Sequence, residues 1–548
     1  MGYVSDGRER ADGTPAAGPG GRRGRWIVLA WAGLLGLVAA GLAVGVGEAA
    51  AAFTGPAGAP VVAVGSAAID LAPTPLKEYA VRTFGTRDKA VLLLGIHTVM
   101  ALLALLAGLL AYRRPTAGAA VVAGFGGLGV WAAASRPAAV PTDALPSVAA
   151  GIAGAAALWW LARLLRSATT DRTAAAPAGE PGDGAGRPSD NRTSRRTVLA
   201  ATGATAAVAA LGAVGGRVLG ESRTDVSAAR RAVRLPPPSR AAAPLPAHVH
   251  PAVPGLSPFT TANADFYRVD TALTLPMIDP RAWALRIHGM VERPTVLTFD
   301  ELLRRPLEEM DYTLTCVSNE VGGRYAGTAR WLGAPLPALL RRAGVRAGAD
   351  QLVGRSKDGM TIGTPLDAVL DGRRALLAVA MNGEPLPVAH GFPCRSLVPG
   401  LYGYTSATKW LVDLEVTRFA AFDPYWVRRG WDRTGEMRTA SRIEVPAPFA
   451  RVPAGDVTLA GTAWATHRGI AAVEVRIDGG AWRPADLSAD AGPDLWRQWS
   501  HTWRGAAPGT HRIEVRATDA AGAVQPEARR PPFPSGATGW HSTVVTVV

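Results

Sequence analysis

The sequence predicts an N-terminal α-helical transmembrane bundle, then a mixed α and β domain, then a small antiparallel β-sandwich. Three observations carry this. Up to about Gly220 the chain is dominated by Ala, Gly, Leu and Val in long uncharged runs, as membrane-spanning helices are. Between Phe259 and about Phe422, helical patterns alternate with short apolar runs. From about Arg442 onward, apolar residues recur at every second position. At 548 residues the chain exceeds what one hydrophobic core organises, so several domains are expected.

Five apolar stretches approach or reach the roughly 20 residues that a bilayer-spanning helix needs. They cover residues 26–47, 90–112, 117–134, 145–165 and 197–219. The third and fifth are rich in Gly and Ala, which suits close helix packing. The net charge of +14 collects beside these runs: Arg22, Arg23 and Arg25; Arg113 and Arg114; Arg192, Arg195 and Arg196. With five spans, these clusters alternate as the positive-inside rule asks, which puts the N-terminal arm and residues 163–196 in the cytoplasm and the C-terminal half outside. The 48–89 loop runs somewhat against this with Lys77, Arg82, Arg87 and Lys89, although Asp70, Glu78 and Asp88 accompany them. No aromatic and basic recognition motif goes with the charge, so it is a topology signal and not a nucleic-acid surface.

Residues 221–257 are Ala-, Pro- and Arg-rich and read as an extended tether. His248 and His250 within it form a lone His-x-His, expected to be solvent-exposed and not a metal site. In the mixed domain, residues 298–304 and 336–342 have helical patterns and residues 375–381 form an apolar run. In the tail, Val473, Val475 and Ile477, then Ile513, Val515 and Ala517, alternate as in half-buried strands, with turns at Asp478-Gly479-Gly480 and Pro508-Gly509.

Only two cysteines occur, Cys316 and Cys394, which excludes a disulfide scaffold. In Thr313-Leu314-Thr315-Cys316-Val317-Ser318-Asn319-Glu320-Val321-Gly322-Gly323, one cysteine ends a β-prone run and precedes a polar, Gly-containing turn. A thiolate there could meet a cofactor, because backbone approaches closely at glycines; a buried inert cysteine is the commoner case. A second segment runs from His390 to Trp410 and gathers His390, Arg395, Lys409 and several hydroxyls around Gly-rich turns. Fork-shaped Arg donors, a Lys point charge and close backbone groups suit a phosphate-bearing ligand.

Together with Asn263-Ala264-Asp265-Phe266-Tyr267-Arg268-Val269-Asp270 and Met381-Asn382-Gly383-Glu384-Pro385-Leu386-Pro387, these segments closely resemble the molybdopterin-binding domain of the sulfite oxidase family. In the tail, Asp478-Gly479-Gly480-Ala481-Trp482, Leu495-Trp496-Arg497-Gln498-Trp499 and Arg516-Ala517-Thr518-Asp519 look like that family's Ig-like dimerisation domain. The resemblance runs from about Ser257 to Val548 and covers none of the membrane half. Composition gives two regions, 1–220, a membrane region, and 221–257, the tether; the resemblance implies two more, 258–435, an α+β molybdopterin-binding catalytic domain, and 436–548, an Ig-like β-sandwich that pairs two chains.

The resemblance makes Cys316 the single protein thiolate on molybdenum in its oxo form, the pterin supplying two further sulfurs. It makes His390, Arg395, Ser406, Thr408 and Lys409 holders of the pterin and its phosphate, with Asn319 beside them. Tyr267 and Arg268 would face cofactor or substrate. The implied activity is two-electron oxo transfer on a small oxyanion such as sulfite, the electrons leaving to a separate cytochrome or quinone-linked partner. Reduction of an S-oxide or of nitrate is the alternative, and a cofactor-free cell-surface binding protein is the rival from another class. Trp431 stands where animal sulfite oxidases place a tyrosine beside the metal, which puts sulfite in question. No Cys-x-x-Cys-His occurs, and His97 is the only histidine in any apolar span. Cys394 replaces a residue that is usually apolar and reads as a small core side chain. Ser194-Arg195-Arg196-Thr197-Val198-Leu199 resembles a twin-arginine export signal inside the chain, and also reads as plain positive-inside flanking. A domain that receives its cofactor in the cytoplasm has to cross folded, which favours export.

Overall fold

The computed structural model describes residues 19–173 and 195–548. Arg192 and Ser194, most of the expected arginine-rich cytoplasmic loop and the start of the N-terminal arm lie outside the described residues. The chain forms two compact units, one running to Asp70 and resuming over Lys89–Arg223, the other made of Leu71–Asp88 and Thr224–Val548.

Among the described residues, five helices are long and apolar enough to cross a membrane: Arg25–Thr54, Asp88–Arg113, Pro115–Ala134, Pro141–Thr169 and Arg195–Ala232. All five expected stretches are therefore helical, and the packing shows what their small residues do. A Cβ on Gly36 would run into the Ala104 carbonyl, one on Gly108 into that of Ala32, and one on Gly45 into that of Ala209. Gly126 and Gly151 meet backbone to backbone, a Cβ on Gly126 lying 2.7 Å from the Cα of Gly151. Helices this close gain dispersion contacts that lipid tails cannot replace, whereas longer side chains would hold them apart.

The 48–89 stretch is not a plain loop. It contains the helices Pro60–Leu71 and Thr74–Phe84 and a 3-10 turn at Gly85–Arg87. Its part Leu71–Asp88 packs within the second unit. Thr74 Oγ1 donates to the Arg429 carbonyl at 3.2 Å, and Lys77 Nζ donates to the Tyr425 hydroxyl at 3.3 Å.

Residues 221–257 differ from a free tether. The Pro-rich part is extended, as its composition requires, but it lies on the domain. Val226 is buried, Arg230 pairs with Glu384 at 2.9 Å, and the Ser239 N–H donates to the Leu307 carbonyl at 2.7 Å. An extended segment has no internal partners for its backbone groups, and a neighbouring sheet edge satisfies them. His248 and His250 are exposed, and His250 Nδ1 lies 2.7 Å from Gln498 Oε1.

The mixed domain has two five-stranded sheets. One runs in the order Thr295–Thr298, Ala284–Gly289, Leu411–Thr417, Gln351–Ser356, Thr361–Pro365. The other runs Glu308–Thr315, Ala326–Pro335, Leu376–Met381, Glu384–Pro385, with Arg395–Leu397 also paired to Leu376–Met381. The apolar run 375–381 is this last, fully buried strand. It faces two cores at once: Leu377 and Val379 enter one, Leu376, Ala378 and Met381 the other. Both expected helices form. Phe299–Leu303 starts on Thr298, whose hydroxyl and N–H exchange hydrogen bonds with the N–H and carboxylate of Glu301. Leu336–Ala343 ends on Gly344 at φ 73°.

The tail folds into two facing sheets. Ala440–Val445, Gly455–Trp464, Arg497–Ala506 and Asp486–Leu487 make one; Arg451–Val452, His541–Val547, Gly509–Asp519, Ile470–Ile477 and Arg483–Pro484 make the other. Leu459 and Trp499 from the first meet Val475, Ile513, Val515, Ala517 and Val545 from the second in a shared core. The turn after Ile477 has Asp478 at φ 51° and Gly479 at φ 71°, the left-handed pair that a tight hairpin requires.

Candidate active site

The strand Glu308–Thr315 delivers Cys316 one residue beyond its end, and the following turn is closed by three hydrogen bonds. Cys316 N–H donates to the Tyr325 carbonyl at 2.9 Å, Asn319 N–H to the Cys316 carbonyl at 3.1 Å, and Tyr325 N–H to Asn319 Oδ1 at 2.8 Å. Burial pushes the Cys316 thiol up, while hydrogen bonds from Ser318 and the charge of Lys409 act to lower it. Tyr267 stacks on Phe266 with ring centroids 5.2 Å apart and lies 6.1 Å from Tyr325. Burial and the nearby Cys316 sulfur hold its phenol well above the usual tyrosine range, so it stays protonated.

Beside this turn lies a cluster of cations. Arg395 is 4% exposed. Its NH1 donates to the His390 carbonyl at 3.1 Å, its guanidinium lies 5.2 Å from the Trp331 ring, and its Nε has no protein partner. Burial brings it down to about 10. Lys409 Nζ donates to Asp270 Oδ2 at 2.6 Å and to the Ala389 carbonyl at 3.3 Å. Burial lowers its ammonium to about 8, against the opposing pull of Asp270. Arg268 grips the same carboxylate with Nε at 2.8 Å and NH2 at 3.1 Å. His390 Nε2 lies 3.2 Å from the Asn263 carbonyl, and burial first, then Arg395, lowers the ring to about 4, so it is neutral at ordinary pH.

Tyr267, Arg268, Cys316, His390, Arg395 and Lys409 thus share one neighbourhood. Three other expected site residues differ. Ser406 donates to the carbonyls of Leu401 at 3.2 Å and Tyr402 at 3.0 Å, so its proton is committed to the turn. Thr408 is buried with its hydroxyl against Gly354, where a Cβ would lie 2.5 Å from Oγ1. Asn319 gives its amide oxygen to Tyr325 N–H and so shapes the turn. Sequence reasoning passed over Asp270, although it ends the Asn263–Asp270 motif, and also Tyr325 and Trp331. Trp431 is buried among Tyr404, Trp426 and Phe533, its indole N–H without a protein partner. Cys394 is a fully buried core thiol, as expected.

Arg268 and Lys409 share the Asp270 carboxylate, Arg395 lies beside them against Trp331, and buried Arg395 Nε and Thr315 Oγ1 lack protein partners. Buried charge and polar groups of this kind ask for an anion with several acceptor oxygens. Among the described residues, no group of three or more His, Cys, Asp and Glu could hold a metal ion. One accessible thiol beside an anion cradle therefore fits a metal that brings its other ligands with a phosphate-bearing cofactor.

Residues 272–426 match the family model of the oxidoreductase molybdopterin binding domain. Sulfite oxidase of Gallus gallus is 31% identical over 339 residues, which are 52% of this chain and 72% of that protein. Nitrate reductase [NADH] 2 of Phaseolus vulgaris is 28% identical over 319 residues, 46% of this chain and 35% of that protein. The solved structure of the sulfane dehydrogenase SoxCD from Paracoccus pantotrophus aligns with a TM-score of 0.46 at 24% identity, covering 53% of this chain and 84% of its own. By its 31% identity to a sulfite oxidase, 72% of whose length it covers, the chain belongs to the sulfite oxidase family of molybdopterin-dependent oxidoreductases, with molybdenum as its metal.

Proposed function

We propose that this enzyme oxidises a small oxyanion, sulfite first among them, at an extracytoplasmic site tethered to the cytoplasmic membrane by the five apolar helices. The observation that carries this reading is one thiol, Cys316, beside three cations, of which Arg268 and Lys409 share the Asp270 carboxylate and buried Arg395 keeps a free Nε. Cys316 holds the metal. Arg395 and Lys409 hold the pterin phosphate with the His390 segment, and Arg268 and Tyr267 face the substrate. Ser406 and Thr408 contribute by shaping the loop that carries Lys409, and Asn319 by shaping the Cys316 turn. The bound cofactor supplies the two-electron couple and the transferable oxygen. The chain's own part is to attract the oxyanion by excess positive charge, to donate from the protonated Tyr267 phenol, and to keep His390 neutral. Electrons then leave one at a time to a separate cytochrome or quinone-linked protein.

The tail is read as the Ig-like module through which two chains pair, residues 258–435 as the catalytic domain and 436–548 as the sandwich. Likeness to the family supports the dimer better than the tail's tryptophans do. Trp499 is fully buried within the chain, Trp496 is 3% exposed, Trp503 packs on His511 and Trp482 on Trp540. Ser194–Leu199 is read as the export signal for the folded domain.

The test is turnover by purified full-length protein containing about one molybdenum per chain. Sulfite oxidation with a one-electron acceptor is expected. Reduction of nitrate or of an S-oxide by reduced dye, without sulfite turnover, would install the reductase reading; Trp431, where animal sulfite oxidases place a tyrosine, bears against sulfite as the substrate.

A further inference from the structure

The strand and turn that carry Cys316 are held from two directions. Along one edge, Glu308–Thr315 pairs with Ala326–Pro335. Close to Cys316, the tail takes further bonds: Thr313 N–H donates to the Asp494 carbonyl at 3.0 Å, and Trp496 N–H donates to Thr313 Oγ1 at 2.8 Å. Past Cys316 the tail meets the turn again. Arg442, on the sandwich strand Ala440–Val445, donates from NH1 to the Gly323 carbonyl at 2.9 Å. The His541 ring packs over Gly322 so tightly that a Cβ there would collide with it. His541 Nδ1 also accepts from Ile443 N–H at 2.9 Å, which ties that ring to the residue after Arg442.

Arg442 is held rigidly. Its side chain is 6% exposed, and its Nε pairs with Glu444 Oε1 at 2.8 Å. Its guanidinium lies 5.8 Å from the Trp464 ring and 5.7 Å from the Trp496 ring. Glu444 in turn accepts from Thr462 Oγ1 at 2.9 Å and from Ser257 N–H at 2.8 Å. Net stability is a weak motive for such an arrangement, because desolvation offsets most of a buried ion pair's attraction; a fixed direction for the remaining donor is a stronger one.

We propose that Arg442 is a positioning residue: through its bond to Gly323, the C-terminal sandwich fixes the turn that presents the Cys316 sulfur, which makes the sandwich a working part of the catalytic site. This rests on Cys316 being the thiolate at the metal. The sulfur's direction depends on the whole turn, since Cys316 N–H, Asn319 N–H and Tyr325 N–H close it on one side and Gly323 ends it on the other.

The test uses the full-length enzyme and the paired change Arg442→Met with Glu444→Gln, which removes the guanidinium without leaving a buried carboxylate unpaired. Arg442→Lys is the conservative control. Hydrogen exchange, measured on protein without molybdenum, is expected to quicken about tenfold at the amides of Cys316, Asn319, Gly323 and Tyr325, while those of Leu376–Met381 hold their rates. In molybdenum-loaded protein, the g values of the Mo(V) electron paramagnetic resonance signal are expected to shift, and kcat to fall about tenfold with KM within about twofold. Arg442→Lys should recover part of both. Unchanged exchange in the turn overturns the proposal. So does quickened exchange with an unmoved Mo(V) signal and kcat. Should Cys316→Ser leave the Mo(V) signal as it was, the ligand reading fails and the proposal falls with it, and that result identifies which of the two was wrong.

Discussion

The charge of Lys409 is set by its surroundings. Burial lowers its ammonium to about 8 although Asp270 opposes this. Below that pH it is cationic, and above it the pterin phosphate would lose one of the two cations, Lys409 and Arg395, proposed to hold it. Affinity for the pterin phosphate should therefore fall as pH rises through about 8. His390, already neutral above about 4, adds no step there. The expected result is a one-proton decline in molybdenum and pterin retention that Lys409→Arg abolishes, because a guanidinium stays charged; an arginine variant with the same decline would clear Lys409 of it. Cys316 and Arg395 should fail differently when replaced. Cys316→Ser keeps the cofactor, held by its phosphate and pterin contacts, and loses oxo transfer. Arg395→Ala removes a charge-assisted contact worth on the order of 2–3 kcal/mol, enough to weaken cofactor retention roughly thirty-fold or more. Molybdenum, pterin and turnover measured side by side separate the two, and a fully active Cys316→Ser enzyme would remove that thiol from the metal. Cysteine, arginine and lysine stand out because their chemistry is scarce in the sequence around them, and the structure brings Cys316, Arg395 and Lys409 together. The local bonds of the Ser406 hydroxyl could not be read from sequence, since a hydroxyl bonds whatever carbonyl the turn brings near it. Asp270 escaped because a carboxylate two residues from an arginine reads as an ordinary surface pair.

Elements with strong local signals formed where periodicity put them. Thr298 and Glu301 start one helix, Gly344 ends another, and the 375–381 run became a doubly buried strand. Elements whose partners lie far away in sequence were misread. The 221–257 tether and the 48–89 loop both look solvent-facing by composition, yet Ser239 bonds Leu307 and Lys77 bonds Tyr425. The Cys316 turn combines the two cases, its glycines visible in sequence and their reason not. Gly322 sits at φ +81° with His541 packed where a side chain would go. Gly322→Ala should therefore cost more than the roughly 1–2 kcal/mol of a left-handed backbone alone, because the ring or the turn must also shift. Thermal unfolding of the purified full-length protein, with its molybdenum content, checks this; an alanine variant that melts and binds metal like the wild type would show the turn to be slack.

For the whole molecule, one argument predicts the side of the membrane and a second the number of crossings. Arginine clusters alternate along the five apolar stretches, and under the positive-inside rule this predicts a cytoplasmic N-terminus and 168–191 loop. Separately, Leu71–Asp88, which follows the first candidate span, packs in the same compact unit as Thr224–Val548, which follows the fifth. Segments that pack together must lie on one side of a bilayer, and that requires an even number of crossings between them. Four of the five candidate spans stand there, so the count is self-consistent; losing any one, such as the Gly/Ala-rich Pro115–Ala134, would break it. A reporter active only outside the cytoplasm should therefore work when fused after Val548. A single cysteine at Thr74 should react with a membrane-impermeant thiol reagent on intact cells, against a background of only Cys316 and buried Cys394. Activity from a cytoplasmic reporter at Val548, with Thr74→Cys shielded as well, would turn the molecule over but keep the parity. A split result, one site outside and one inside, would mean that four spans is the wrong number and that the packing of Leu71–Asp88 against the catalytic domain does not exist in the membrane.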